Sequence, residues 1–239
     1  MRDTAYMFSI ARFVEDVRVA STVPMNVDLL PNGRTNLVIR VPEEGPGDVF
    51  VVGPRTRAKF KRTTGVSRAV TLRVKPGWAP MVFGVPASAL TDQFVTLDEL
   101  WGPSDLTADI LAAPSVSAVL ERLSRVVAAR ATFESSSARL ARRAAHLFET
   151  TETRVDAVAE QLGVTARHLR RAFVDNVGIG PKEFARGVRL ERAIRGTARS
   201  SDWSAIAREA GYYDQAHLSG EFRELTGITP SAFLQRRAA

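Results

Sequence analysis

One pattern occurs twice in this chain. "AEQLGVTARHLRRAFVDNVGIGPKEF" (159–184) returns as "AREAGYYDQAHLSGEFRELTGITPSAF" (207–233) with its apolar, glycine and proline positions kept. Ala159 matches Ala207 and Gly163 matches Gly211 at a spacing of 48 residues. Thr165 with Asp214, Leu169 with Leu218, Phe173 with Phe222, Gly178 with Gly227, Pro181 with Pro230 and Phe184 with Phe233 follow at a spacing of 49. The second copy therefore gains one residue just after its glycine, where a turn tolerates it.

Each copy spells helix, tight turn, helix. Val155, Val158, Ala159 and Leu162 form a stripe at helical spacing, and Gly163 suits a left-handed cap. Thr165 can cap the next helix, which buries Leu169 and Phe173. The second copy uses Asp202, then Trp203, Ile206 and Ala207, then Gly211, Asp214, Leu218 and Phe222. Small residues at 159 and 207 let two helices cross closely. This is the layout of a helix-turn-helix, whose second helix enters the DNA major groove. A solenoid needs about three or more copies, so two favour the DNA-binding layout.

The first hundred residues read as β structure. "NVDLL" and "TNLVIRV" flank Asn32-Gly33, a hairpin signal that predicts direct pairing of those strands. In "VSRAVTLRV", Val66, Val70, Leu72 and Val74 recur at even spacing and can face a core. "PMVFGVPASALTDQFVTLDELWG" holds too many breakers for one long helix. Helical texture starts near Ser104. In "SVSAVLERLSRVVAAR" a stripe of Val116, Val119, Leu120, Leu123, Val126 and Val127 can pack on its own chain or on a second subunit. "ATFESSS" reads as a polar hinge before the helix "ARLARRAAHLFET".

The expected fold is α+β in two domains. Residues 1–104 form a β-rich sensor domain, a barrel or sandwich that is cupin-like but without metal ligands. Residues 105–137 form a helical linker with a candidate dimer contact, and 138–239 an all-α domain with two helix-turn-helix units. The net charge is +7, of which 135–239 contribute +5 and 1–104 contribute +3. A basic domain suits a polyanionic partner.

Residues 138–239 resemble the paired helix-turn-helix domain of the AraC/XylS family of bacterial transcription regulators. The resemblance rests on "VDAVAEQLGVTARHLRRAFVDNVGIGPKEFARGVRLERA" and "WSAIAREAGYYDQAHLSGEFRELTGITPSAF", including Ile206-Ala207, Gly211-Tyr212, Phe222, Gly227 and Pro230. "GVPASALTD" in the β-rich part resembles one subgroup of such regulators. The resemblance implies two readers joined by the helix "PKEFARGVRLERAIR", entering successive major-groove segments. On the first, Arg167, Arg170 and Arg171 point away from Leu169 and Phe173, with Thr165 at the cap. Arginine can bind guanine O6 and N7 together or hold phosphate. On the second, the matching positions are Gln215, Ala216 and Ser219, while Gly220 stands where the family commonly has a basic residue. Residues 165–176 carry +2 and 214–226 carry −2, so the first reader is expected to dominate and the second to clamp the backbone.

With no cysteine and no histidine before His146, thiolate chemistry and a histidine-ligated barrel metal are excluded. His168 and His217 occupy equivalent repeat positions on separate units and do not form a metal pair. No phosphate-cradling loop or nucleophile–base pair is present. We expect no enzyme, catalytic residue, cofactor or metal site. The expected partner is double-stranded DNA, with RNA polymerase added if the protein activates transcription. A small-molecule effector would sit in the barrel beside Trp78, Phe83 or Phe50, although each of these also suits a core, and a homodimer is a further expected partner. No window approaches a membrane span, and "MRDTAYMFSIARFVEDVR" lacks a leader's apolar core, so a cytoplasmic, nucleoid-associated location is expected. The competing classes are an effector-independent architectural DNA binder and an enzyme fused to a DNA-binding module.

Overall fold

The computed structural model describes residues 12–20, 25–64, 66–130, 134–151 and 154–238. Most of the leader reading (1–11) and residues 131–133 of the polar hinge lie outside them. Of that hinge's remainder, Ser135 accepts the Ala138 N–H and starts helix α5 (Ser136–Thr150).

The N-terminal half is built on two antiparallel sheets. Strands β1 (Val14–Ala20), β6 (Val66–Val74), β3 (Thr35–Pro42), β4 (Asp48–Val52) and β7 (Phe94–Thr96) form one, in that order. Strands β2 (Met25–Leu29) and β5 (Lys59–Thr63) form the other. The predicted β2–β3 hairpin does not form. β2 pairs with β5, and β3 pairs with β4 and β6. The intervening Asn32–Arg34 segment is instead buried against the helical half, a tertiary demand that overrides the local turn signal.

Alternation along the strands gives the larger sheet two different faces. Val51, Leu37 and Leu72 lie side by side in register and are buried. They pack under the short helix α1 (Ala79–Phe83) and under α4 (Val116–Arg130). Val119, Leu123 and Val127 of α4 are buried in this core, with Val116 and Leu120 packed against it. The α4 stripe is therefore used within its own chain. The neighbouring row Phe50, Val38 and Thr71 faces the opposite way, toward β2 and β5. Val66 leaves its expected face because a register shift sets it opposite Pro42. Between the sheet and α4 come a 3-10 turn (Ala87–Leu90), α2 (Leu97–Trp101) and α3 (Leu106–Leu111). This fragmentation is what the breakers in that segment predict.

The C-terminal half contains α5, α6 (Val155–Gln161), α7 (Ala166–Val177), α8 (Pro181–Gly196), α9 (Trp203–Ala210), α10 (Gln215–Thr226) and α11 (Pro230–Ala238). The sequence repeat is a repeat of packing. Phe173 and Phe184 meet edge-on at 5.2 Å and 69°, and their counterparts Phe222 and Phe233 at 5.5 Å and 70°. All four rings are at most 1% exposed. Burying each is worth about 2–3 kcal/mol. The second of these cores is completed by Leu30 and by Phe60 of β5, which stands 6.1 Å from Phe233. The two halves thus share a core.

Candidate nucleic-acid interface

Both turns close by the same hydrogen bonds. Val164 N–H reaches Ala159 O at 3.0 Å, and Tyr212 N–H reaches Ala207 O at 2.9 Å. Gly163 and Gly211 supply the left-handed residue at φ 68° and 86°, a conformation that favours glycine. Thr165 Oγ1 accepts the His168 N–H at 3.1 Å, and Asp214 Oδ1 accepts the His217 N–H at 2.7 Å. Helices α7 and α10 therefore start at capped, equivalent points, with Leu169 and Leu218 fully buried beneath them.

On α7 the outer face carries Thr165, Arg167, Arg170 and Arg171, all exposed, while Ala172 and Phe173 point into the core. On α10 Gln215 and Ala216 are exposed and Ser219 half-buried. Gln215 Oε1 accepts from Ser204 Oγ of α9 at 3.3 Å. Gly220 is exposed with open space around it.

The charge count of 214–226 does not describe the outer face of α10. Glu221 faces the connecting helix α8, where Arg189 donates to both of its oxygens at 2.8–2.9 Å and Arg186 donates at 3.0 Å. Its side chain is 9% exposed, and Glu224 is 2.6 Å from Arg186. These charges are spent anchoring α10, and Asp214 is spent on the cap. The outer face of α10 is close to neutral rather than acidic. In the first copy the residue equivalent to Glu221 is the buried Ala172, so α7 is seated by apolar packing instead.

Tyr213 is not among the residues that the repeat pattern singles out. It is the unmatched residue of the second turn, it is 89% exposed, and its N–H donates to His217 Nδ1 at 3.3 Å. The one-residue insertion was the available signal.

Behind α7 and α10 the two halves meet along α8. A Cβ on Gly187 would lie 2.2 Å from Pro31 O, and one on Gly33 would lie 2.4 Å from Phe184 Cδ2. Thr91 Oγ1 donates to Gly178 O at 2.6 Å, and Ala58 N–H to Leu225 O at 2.9 Å. Arg34, its side chain 6% exposed, lies 2.6 Å from Glu15, 2.9 Å from Glu149 and 3.4 Å from Glu191.

A cavity of about 520 Å³ lies between the two sheets. Phe50 lines it, whereas Trp78 and Phe83 are buried in the core on the other side of the sheet. Its wall reaches Arg237 of α11, which with Arg236 approaches Asp28 of β2 at 3.7 and 3.5 Å. Among the described residues no cluster of three or more His, Asp or Glu could hold a metal ion. None of the helices there is long and apolar enough to cross a membrane.

One family match agrees with the helix-turn-helix geometry. Residues 158–236 match the family described as helix-turn-helix domain, and 9–96 match a domain of unknown function (DUF6597). No curated protein matches the chain. Among solved structures, ToxT from Vibrio cholerae is similar at 10% identity and TM-score 0.48, over 93% of this chain and 98% of that one. The C-terminal domain of AraT, a response regulator from Geobacillus stearothermophilus, is similar at 24% identity and TM-score 0.40, over 44% of this chain and 89% of that one. CdpR, a transcriptional regulator from Pseudomonas aeruginosa, is similar at 21% identity and TM-score 0.34, over 72% of this chain and 46% of that one. The C-terminal region is a helix-turn-helix domain, a DNA-binding layout, and it follows a β-rich N-terminal part.

Proposed function

We propose that α7 and α10 enter successive major-groove segments about one turn, ~34 Å, apart, and that the β-rich half controls them through a small-molecule effector. Thr165, Arg167, Arg170 and Arg171 are the main contacts. Gln215, Ala216 and Ser219 place the second reader on the adjacent segment. The observation that carries this reading is the exposed arginine face of α7, opposite a fully buried one. Arg167 and Arg171 read bases, and Arg170 adds to phosphate or base contact. The second reader positions the protein rather than supplying discrimination, because its outer face offers no cationic fork in the turns that would meet bases.

Effector control is supported by the route from cavity to reader. Asp28, on the cavity wall, is ion-paired with α11, and α11 carries Phe233 beneath Phe222 of α10. We assign residues 1–104 to the sensor, 105–137 to the linker and 138–239 to DNA binding, in a cytoplasmic protein without enzymatic activity that is associated with the nucleoid. A homodimer, if one forms, uses a surface other than the α4 stripe. RNA polymerase is a partner where the protein activates.

Genome-wide mapping of bound DNA would supply the operator, and footprinting of Arg171→Ala and Gln215→Ala on it tests the division of labour. Arg171→Ala should cost the larger part of affinity; a larger loss from Gln215→Ala would overturn the assignment.

A further inference from the structure

The cavity between the sheets has a charge that its position in a barrel does not require. Its lining includes six cationic side chains, Arg18, Arg40, Arg55, Lys61, Arg73 and Arg237, against one carboxylate, Asp28. Each arginine has a carboxylate neighbour: Asp16 at 2.6 Å for Arg18, Asp48 for Arg40, Asp92 at 3.4 Å for Arg55, Glu191 at 3.7 Å for Arg73, and Asp28 for Arg237. Lys61 differs. The charges that act on it are those of Lys59, Arg40 and Arg55, all of its own sign. Burial, with these like charges, pulls its pKa below the ordinary lysine value. Arg55 Nε is buried and makes no hydrogen bond, its ion pair to Asp92 Oδ1 being long at 3.4 Å.

Next to this cluster is an aromatic rim. Phe50 and Phe94 stand 6.1 Å apart, and Phe94 is 37% exposed. Lys61 Nζ lies 4.4 Å and the Arg55 guanidinium 5.5 Å from the Phe94 centroid, while Arg40 lies 4.7 Å from that of Phe50. Ring faces offset some of the crowded positive charge, but an anion would offset more. Val38, Val52 and Leu29 supply apolar walls further in. The volume is within the range that small-molecule sites occupy, about 300–1,000 Å³.

We infer that this cavity binds a small organic anion with an apolar, ring-sized body, its acid group at Lys61, Arg40 and Arg55 and its body against Phe50 and Phe94. The inference rests on the proposed sensor role and specifies its ligand class. A neutral sugar or an organic cation would supply no opposite charge to Lys61.

The test uses the full chain and two fluorescent probes that differ by one acid group: 1-anilinonaphthalene-8-sulfonate and the neutral N-phenyl-1-naphthylamine. The sulfonate should bind saturably with one site per chain. The neutral probe should bind about tenfold or more weakly, as expected for loss of a desolvated charge pair. Lys61→Gln should weaken the sulfonate by about tenfold or more and leave the neutral probe unchanged. Lys182→Gln, the same charge removed from an exposed site on α8, should change neither. Lys61 is itself exposed, and matching circular dichroism melts establish that the variants are folded. Equal binding of the two probes, or sulfonate binding indifferent to Lys61→Gln, would overturn the inference. Operator affinity measured with and without the sulfonate separates the two readings. Binding at Lys61 without effect on DNA would leave the anion site standing and remove its role as sensor. An operator response confined to neutral compounds would keep the sensor and sink the anion.

Discussion

Arg34, just before β3, and Glu191 of α8 lie 3.4 Å apart at the junction of the two halves. The same guanidinium also serves Glu15 at 2.6 Å and Glu149 at 2.9 Å. One cation from the β-rich half therefore serves carboxylates from both halves. Glu15 and Glu149 stay about a third exposed and Glu191 keeps Arg73, so removing the cation costs on the order of 2 kcal/mol, below the figure for a fully buried pair. Arg34→Met should lower the urea midpoint by a corresponding amount. Arg34→Lys should recover only part of it, since an ammonium cannot reproduce the planar fork. An unchanged midpoint in both variants would show that the junction is not held by this residue.

The same cluster sets a pH dependence. Burial raises the pKa of Glu149 above its ordinary 4.5, and the Arg34 charge offsets this only in part. For Glu15 burial also acts upward, but the hydrogen bond and charge of Arg34 prevail and its pKa is lowered. A carboxylate with a raised folded pKa costs stability once it ionises, so its penalty is absent below about 4.5 and develops as pH rises through the folded value. Glu149→Gln should match the wild type in acid and gain stability over it as pH climbs from there. Glu15 works in the opposite sense: its contribution is present above its ordinary value and fades as pH falls through the lowered one. Glu15→Gln should therefore be destabilising at neutral pH and converge with the wild type in acid. Urea midpoints measured at intervals from pH 3 to 8 check both signs.

Two glycines in helices separate packing from propensity. Gly187 of α8 faces the Pro31 carbonyl, which a Cβ would approach to 2.2 Å. Since that obstacle is backbone, Gly187→Ala must push the halves apart, at a cost of about 1–3 kcal/mol. Gly220 of α10 meets nothing within 4 Å, and replacing it by alanine removes backbone entropy from the unfolded chain. Gly220→Ala should stabilise by about 0.5–1 kcal/mol. Thermal melts of the two variants should thus shift in opposite directions.

The helical half was legible because its signals are local and occur twice. Gly163, Gly211, Thr165 and Asp214 each act on the residues next to them, and the buried phenylalanines fall at helical spacing. The sheet half was less so. Asn32-Gly33 carries a hairpin signal, yet it is buried against Phe184, roughly 150 residues further along the chain. Likewise Glu221 counts as surface charge until α8 places Arg186 and Arg189 beside it. The cationic cavity draws on β1, β3, β5, β6, the loop at Arg55 and the last helix, so no sequence window contains it.

Tyr213 offers α10 an exposed polar ring that its outer face lacks. The turn insertion places this side chain, 89% exposed, immediately before the Asp214 cap of α10, with its backbone N–H held by His217. A phenol there can donate to a phosphate or stack on a sugar edge, contacts that position a reader without specifying sequence. Tyr213→Ala should weaken operator binding, and Tyr213→Phe should lose a smaller share by removing the donor alone. Because the contact carries no sequence information, nonspecific DNA should lose affinity by a similar factor. Melting temperature should not move, as the ring packs on nothing buried. Fluorescence anisotropy on specific and scrambled duplexes decides the matter. If specific binding alone falls, Tyr213 reads a base edge instead, and if neither changes, the second reader docks without it.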